Sequence, residues 1–115
     1  MTYSFGDVLL VPFPFTDQST VKKRPAIVIS STLYNERHID IILIAVTSQT
    51  RATSYSDNLA VQNWQQAGLL KPSVIKPIVM TVQSSLILRK LGTITRPEQQ
   101  ALQQLIGEIT GFPKP

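Results

Sequence analysis

Apolar residues fall in short runs separated by polar or proline-bearing stretches, and only the C-terminal segment carries a helical period. Asp7 to Val11, DVLLV, is apolar on both faces after its first residue, which predicts a strand buried on both sides or at a subunit contact, with Gly6 at its start. Pro12 and Pro14 interrupt the run, and since proline donates nothing to a ladder they place PFPF at a frayed end or an edge. Thr16 to Thr20 is a polar turn that joins the cations Lys22, Lys23 and Arg24, giving one loop able to lie over a groove. Pro25 and the β-branched run Ile27-Val28-Ile29 predict a second strand, and Ile41 to Val46 a third. The residues between them, Ser30 to Asp40, read as a polar connection.

Tyr55 to Val61 reads as a weaker strand, followed by a short helical turn over Gln62 to Ala67 that Gly68 stops and against which Trp64 packs. Val74 to Val82 is apolar but broken by Pro77, so it predicts an edge, a bulge or two short strands. Leu86 to Ile94 gives one more strand. Thr95-Arg96-Pro97-Glu98 then forms a capping box, with Thr95 as N-cap, Glu98 three residues on, and Pro97 in the first turn where its missing N–H does no harm. Ala101, Leu102, Leu105, Ile106 and Ile109 make one apolar stripe at helical spacing, and Gly111 and Pro113 end it. The pattern alone predicts a mostly β chain with a C-terminal helix.

At 115 residues the chain is expected to be a single domain, 1–115, with a hydrophobic core and a surface groove rather than an enclosed pocket. A net charge of +4 with only 16% charged residues means that the cation excess acts locally, on one basic face suited to an anionic partner. The absence of cysteine removes disulfides and thiolate chemistry, and a single histidine removes the common transition-metal and two-histidine constellations, so the expectation is a protein working without metal or cofactor. No stretch has the roughly 18 apolar residues of a membrane span, and the N-terminus lacks a signal-peptide pattern, so the expected location is the cytoplasm, away from membranes.

The candidate chemistry gathers where charge meets a strand mouth. Pro25 biases Arg24 to an extended backbone, and the buried run behind it fixes its place, so a planar fork of donors with a permanent charge is presented to solvent at one spot. Strand three likewise ends abruptly in Thr47-Ser48-Gln49-Thr50-Arg51. Phe13 and Phe15 read either as stacking platforms or as core aromatics. His38 has Glu36 and Asp40 two residues to either side, but a turn scatters such neighbours and nothing fixes them as a catalytic group.

Taken in order, FGDVLLVPFPFT, RPAIVIS, VTSQ, GLLKPSVIK and LRKLGTI resemble the MazF/PemK family of ribosome-independent endoribonuclease toxins, over about residues 5 to 110. The resemblance implies a small SH3-like barrel, shared with the gyrase poison CcdB, carrying a C-terminal helix. It implies that Arg24 and Thr47 are the catalytic residues, and RNA contacts are expected from Lys22, Lys23, Ser48, Gln49, Arg51 and Lys76. The implied reaction is metal-independent cleavage of single-stranded mRNA to 2′,3′-cyclic phosphate and 5′-hydroxyl ends, which arrests translation and growth. The implied partners are the RNA, a cognate acidic antitoxin and a second copy of the chain. The segment Ser73-Val74-Ile75-Lys76-Pro77-Ile78 departs from the pattern, because some members carry an acidic residue or glutamine there and this chain has no carboxylate. That leaves the general base unassigned and keeps open a second class, a non-catalytic barrel that binds RNA or poisons DNA gyrase.

Overall fold

The computed structural model describes residues 2–13, 22–48 and 59–112. Six strands form one antiparallel sheet: β1 (Asp7–Phe13), β2 (Lys22–Val28), β3 (Asp40–Thr47), β4 (Leu59–Val61), β5 (Ser73–Gln83) and β6 (Arg89–Thr93). Their order is β4-β5-β3-β2-β1-β6, curled into a half-barrel, with a short helix α1 (Thr32–Arg37) between β2 and β3 and a long helix α2 (Arg96–Thr110) at the C-terminus. This is the mostly β, barrel-like architecture with a terminal helix that the sequence predicts.

DVLLV is buried on both faces, but within its own chain. Val8 joins Ile27, Ile44 and Ile75 under Leu102 and Leu105 of α2, while Leu9 and Val11 join Ala26, Val28, Ile41 and Leu43 inside the curl. Met80, Val82, Ile87 and Tyr3 close that second cluster. Alternation along each strand thus feeds two apolar layers, which is why these strands read as nearly continuous apolar runs. The N-cap of α2 is Thr95 with the complete capping box, and Gly111 ends the helix in the left-handed region at φ 75°.

Pro77 produces a bulge within one strand. Ile44 pairs with Val79 and Val46 with Ile75, so Lys76, Pro77 and Ile78 together oppose Ala45. Among the described residues, β4 lies beside β5 only from Ser73 to Ile75. Two expectations change. The polar connection after Ser30 contains α1, capped by the Ser31 hydroxyl accepting from the Tyr34 amide at 3.1 Å. None of its residues is buried, so it has no apolar stripe for periodicity to detect. It is tied down by polar bonds instead, among them Asn35 Nδ2 donating to the Tyr3 carbonyl at 2.8 Å. The strand predicted over Leu86 to Ile94 begins only at Arg89, since Ser84–Leu86 forms a 3-10 turn that carries Ile87 into the inner core. Residues 55–58 of the predicted weak strand, and the polar turn after Pro14, lie outside the described residues.

Candidate phosphate-binding groove

Register decides where the two candidate catalytic side chains stand. Ala26 pairs with Ala45, Ile27 with Ile44 and Val28 with Leu43. Arg24 and Thr47 each lie two residues beyond the Ala26–Ala45 pair, at the mouths of their strands, and alternation returns a strand to the same face every second residue. Both belong to the face that carries Ala26 and Ala45. Arg24 and Thr47 are half-buried, and Nε of Arg24 is withdrawn from solvent, whereas the sequence reading has the whole guanidinium facing water. A long stem packed along an apolar strand with its charged end at the rim produces that partial burial.

A groove of about 650 Å³ opens here. Lys22, Lys23, Arg24, Thr47 and Ser48 line it from the strand mouths, and Leu10, Pro25, Val46, Leu69 and Leu91 form an apolar floor. Its other wall comes from Gly68, Leu70, Lys71 and Ser73 together with Arg89. Among these described lining residues there are five cations and no carboxylate. Such a site favours an anion with apolar or aromatic parts, the character of a nucleotide chain.

Of the predicted site residues, Arg24, Thr47, Lys22, Lys23 and Ser48 come together in this groove. Gln49 and Arg51 lie outside the described residues. Lys76 is not brought in: it is half-buried in the β5 bulge opposite Ala45 and is absent from the lining. His38 stands at the other end of β3, where it caps α1, stacks on Tyr34 with ring centroids 3.9 Å apart, and donates from Nδ1 to the Tyr34 carbonyl at 3.0 Å. Residues the sequence reading passes over are Lys71, Arg89 and Leu70, the last 91% exposed. For Lys71 a signal is present, because Lys71-Pro72 repeats the cation-before-proline arrangement of Arg24-Pro25.

The far wall is held by backbone contact. A Cβ on Gly68 would lie 2.1 Å from the Leu91 carbonyl oxygen, and one on Gly92 would lie 2.6 Å from both carbonyl atoms of Ala67. The turn before Leu69 therefore touches β6 main chain to main chain, an approach open only to glycine. Glu98 anchors the same turn to α2: its carboxylate accepts from the Thr95 amide and hydroxyl and from the Asn63 amide, each at 2.9 Å. Burial pushes the Glu98 pKa up, but the bonds from Asn63, Thr95 and Gln62 outweigh it and hold the group below its usual value. Among the described residues no three His, Cys, Asp or Glu side chains gather as a metal site.

Residues 4–110 match the family of PemK-like, MazF-like toxins of type II toxin–antitoxin systems. The chain belongs to this family. Solved structures with the same fold include a mycobacterial endoribonuclease in complex with its cognate antitoxin, at 15% identity and a TM-score of 0.76, covering 99% of this chain and 98% of that one. MazF from Deinococcus radiodurans is similar at 17% identity and a TM-score of 0.76, covering 97% and 99%. A MazE–MazF structure from the same organism gives 18% identity and a TM-score of 0.78, covering 98% and 100%. No curated protein matches the chain. For this toxin-family chain, no helix among the described residues is long and apolar enough to cross a membrane.

Proposed function

We propose that this single-domain chain is a metal-independent endoribonuclease toxin that cleaves single-stranded mRNA in the cytoplasm and so arrests growth. The observation that carries the reading is that Arg24 and Thr47, each two residues past the Ala26–Ala45 pair, line one groove whose charged groups are cations. In the proposed reaction the 2′-oxygen attacks the adjacent phosphorus, its proton leaves, and the 5′-oxygen departs with a proton, giving 2′,3′-cyclic phosphate and 5′-hydroxyl ends. Arg24 stabilises the negative charge on the pentavalent phosphorus, and Thr47 donates its hydroxyl to a non-bridging oxygen. Arginine holds its proton too tightly to be a good general acid, so its first role is electrostatic. Lys22, Lys23 and Ser48 hold the flanking backbone, and Gln49 and Arg51 continue the same segment.

Two of the similar structures were solved with antitoxins, which supports an antitoxin as the partner, and the cations of the groove point to an acidic one that covers it. The working unit is a homodimer. The absence of a carboxylate among the described lining residues favours a second reading, a groove that binds RNA without cutting it. Incubating the purified protein with a long single-stranded RNA in EDTA separates the two: the nuclease reading expects discrete fragments with cyclic phosphate ends, and intact RNA overturns it.

A further inference from the structure

The groove carries a second cationic group that the catalytic pair does not explain. Leu10 pairs with Pro25 on one side and with Arg89 on the other, so Pro25, Leu10 and Arg89 form a row across β2, β1 and β6. Opposed residues share a face, so Arg89 rises from the same face as the groove floor. Arg24 belongs to the opposite face, with Val11 as its partner, and reaches the groove from the strand mouth. A bulge makes this sorting. The register slips between Val8, which pairs with Gly92, and Leu9, which pairs with Lys90, leaving Leu91 as the extra residue. Without the slip Lys90 would stand opposite Leu10.

Instead Lys90 points to the other face, where its Nζ lies 3.3 Å from the buried Asp7 carboxylate. Asp7 also accepts from the Thr93 hydroxyl at 3.1 Å and from the Ser4 amide at 2.9 Å, so the register is locked from that side. From the groove side the glycine crossing pins the bulge against the turn that leads to Lys71. Two neighbouring cations are thus divided: Lys90 is paired with the buried Asp7 carboxylate, while Arg89 lines the groove with Lys71.

Resting on the reading of the groove as an RNA site, we propose that Arg89 and Lys71 form a second phosphate subsite, holding a backbone phosphate next to the one at Arg24 and Thr47. The strands β2 and β6 are two strand spacings apart, about 10 Å. Two long side chains reaching inward over the floor of Leu10 and Leu91 leave room for one nucleoside between the subsites. A groove whose charged groups are all cations, set over an apolar floor, suits a phosphodiester chain whose bases can lie on that floor.

The test uses a mixed-sequence 2′-O-methyl RNA oligonucleotide, which lacks the nucleophile, and measures its Kd by anisotropy over a range of salt. Lys71→Gln and Arg89→Gln should each weaken binding about tenfold, the low end for a charge-assisted contact, and reduce the log Kd against log salt slope by roughly 0.7. Arg89→Lys should keep the slope. Arg96→Gln, an exposed cation at the start of α2, serves as the control for net charge and should change neither. In cleavage of unmodified RNA, both groove variants should raise KM and leave kcat near the parent value. Loss of binding in the variants of a parent that cuts no RNA would support the subsite and overturn the nuclease reading alone. An unchanged slope in both groove variants would overturn the subsite. So would an equal change in Arg96→Gln, or weakened binding of an acidic polyglutamate peptide with oligonucleotide binding intact.

Discussion

Arg24 combines a fixed backbone with a mobile, charged end, and the two parts predict different losses. Arg24→Ala should slow cleavage by roughly 10²–10³-fold, the scale for one preorganised transition-state donor. Because its stem is half-buried, the same change should also cost about 1 kcal/mol of stability. Arg24→Lys should recover little activity, since an ammonium keeps the charge but loses the planar fork. Thr47→Ala should cost less than Arg24→Ala, because a neutral hydroxyl binds an anion more weakly than a guanidinium. Single-turnover cleavage of one oligonucleotide by the three variants, beside their melting temperatures, checks the order. A folded Arg24→Ala protein cutting at the parent rate would remove Arg24 from the mechanism. Both positions were legible in the sequence because Arg24 leads directly into an apolar run and Thr47 directly follows one, so a polar group at a strand mouth could be named before any fold was known. Arg89 was not. Which of two adjacent cations enters the groove is set by a bulge in β6, and a one-residue slip in pairing leaves no mark in local composition.

The elements of the far wall depend on two devices, one steric and one polar. Gly68 lies at φ 81° and faces the Leu91 carbonyl, whereas Gly111 lies at φ 75° with open space for 4 Å around the position a Cβ would take. Alanine at Gly111 therefore meets only the left-handed backbone penalty, about 1 kcal/mol. Alanine at Gly68 meets that penalty and a clash with main chain, worth roughly 1–3 kcal/mol more. Urea unfolding of both variants isolates the clash, and equal losses would show that the turn lifts away from β6 without cost. Glu98 gives the polar device a pH signature. Its pKa is lowered in the folded chain, so its contribution is complete above the ordinary value of about 4.5 and is lost as the pH falls through the lowered value. Melting temperatures between pH 7 and pH 3 should fall less steeply for Glu98→Gln than for the parent, while the variant is less stable at neutral pH. Identical acid slopes would show that the carboxylate gains nothing from its bonds to Thr95 and Asn63. The capping box was visible in the sequence because its spacing is local, whereas the Asn63 bond to the same carboxylate joins residues far apart in the chain. Helix α1 was invisible for the opposite reason, being local but lacking any buried face.

At the scale of the molecule, the surface left for a homodimer differs from the one the sequence suggests. DVLLV reads as apolar surface for a partner, yet Val8, Leu9 and Val11 are buried in the two layers of their own chain. Other apolar groups remain outside. Ile39 is 70% exposed and bonded through its carbonyl to the Ser84 amide at 2.7 Å, and Leu86 and Leu88 follow close by at 52% and 48%. Ile78 and Val79 are also exposed, on β5 beyond the residues that pair with β4 among those described. Exposed apolar groups gathered in this way favour association, since burial gains on the order of 25 cal/mol per Å². Sedimentation at micromolar concentration should therefore give a dimer, and a monomer there would contradict it. Leu86→Asp and Val79→Asp should each shift the equilibrium towards monomer by placing a charge where apolar contact is needed. Neither residue lines the groove, so RNA binding by the separated monomer should weaken only as far as the path of the RNA crosses both copies. A dimer that survives both substitutions would move the interface to another face, with the strand mouths as the next surface to probe.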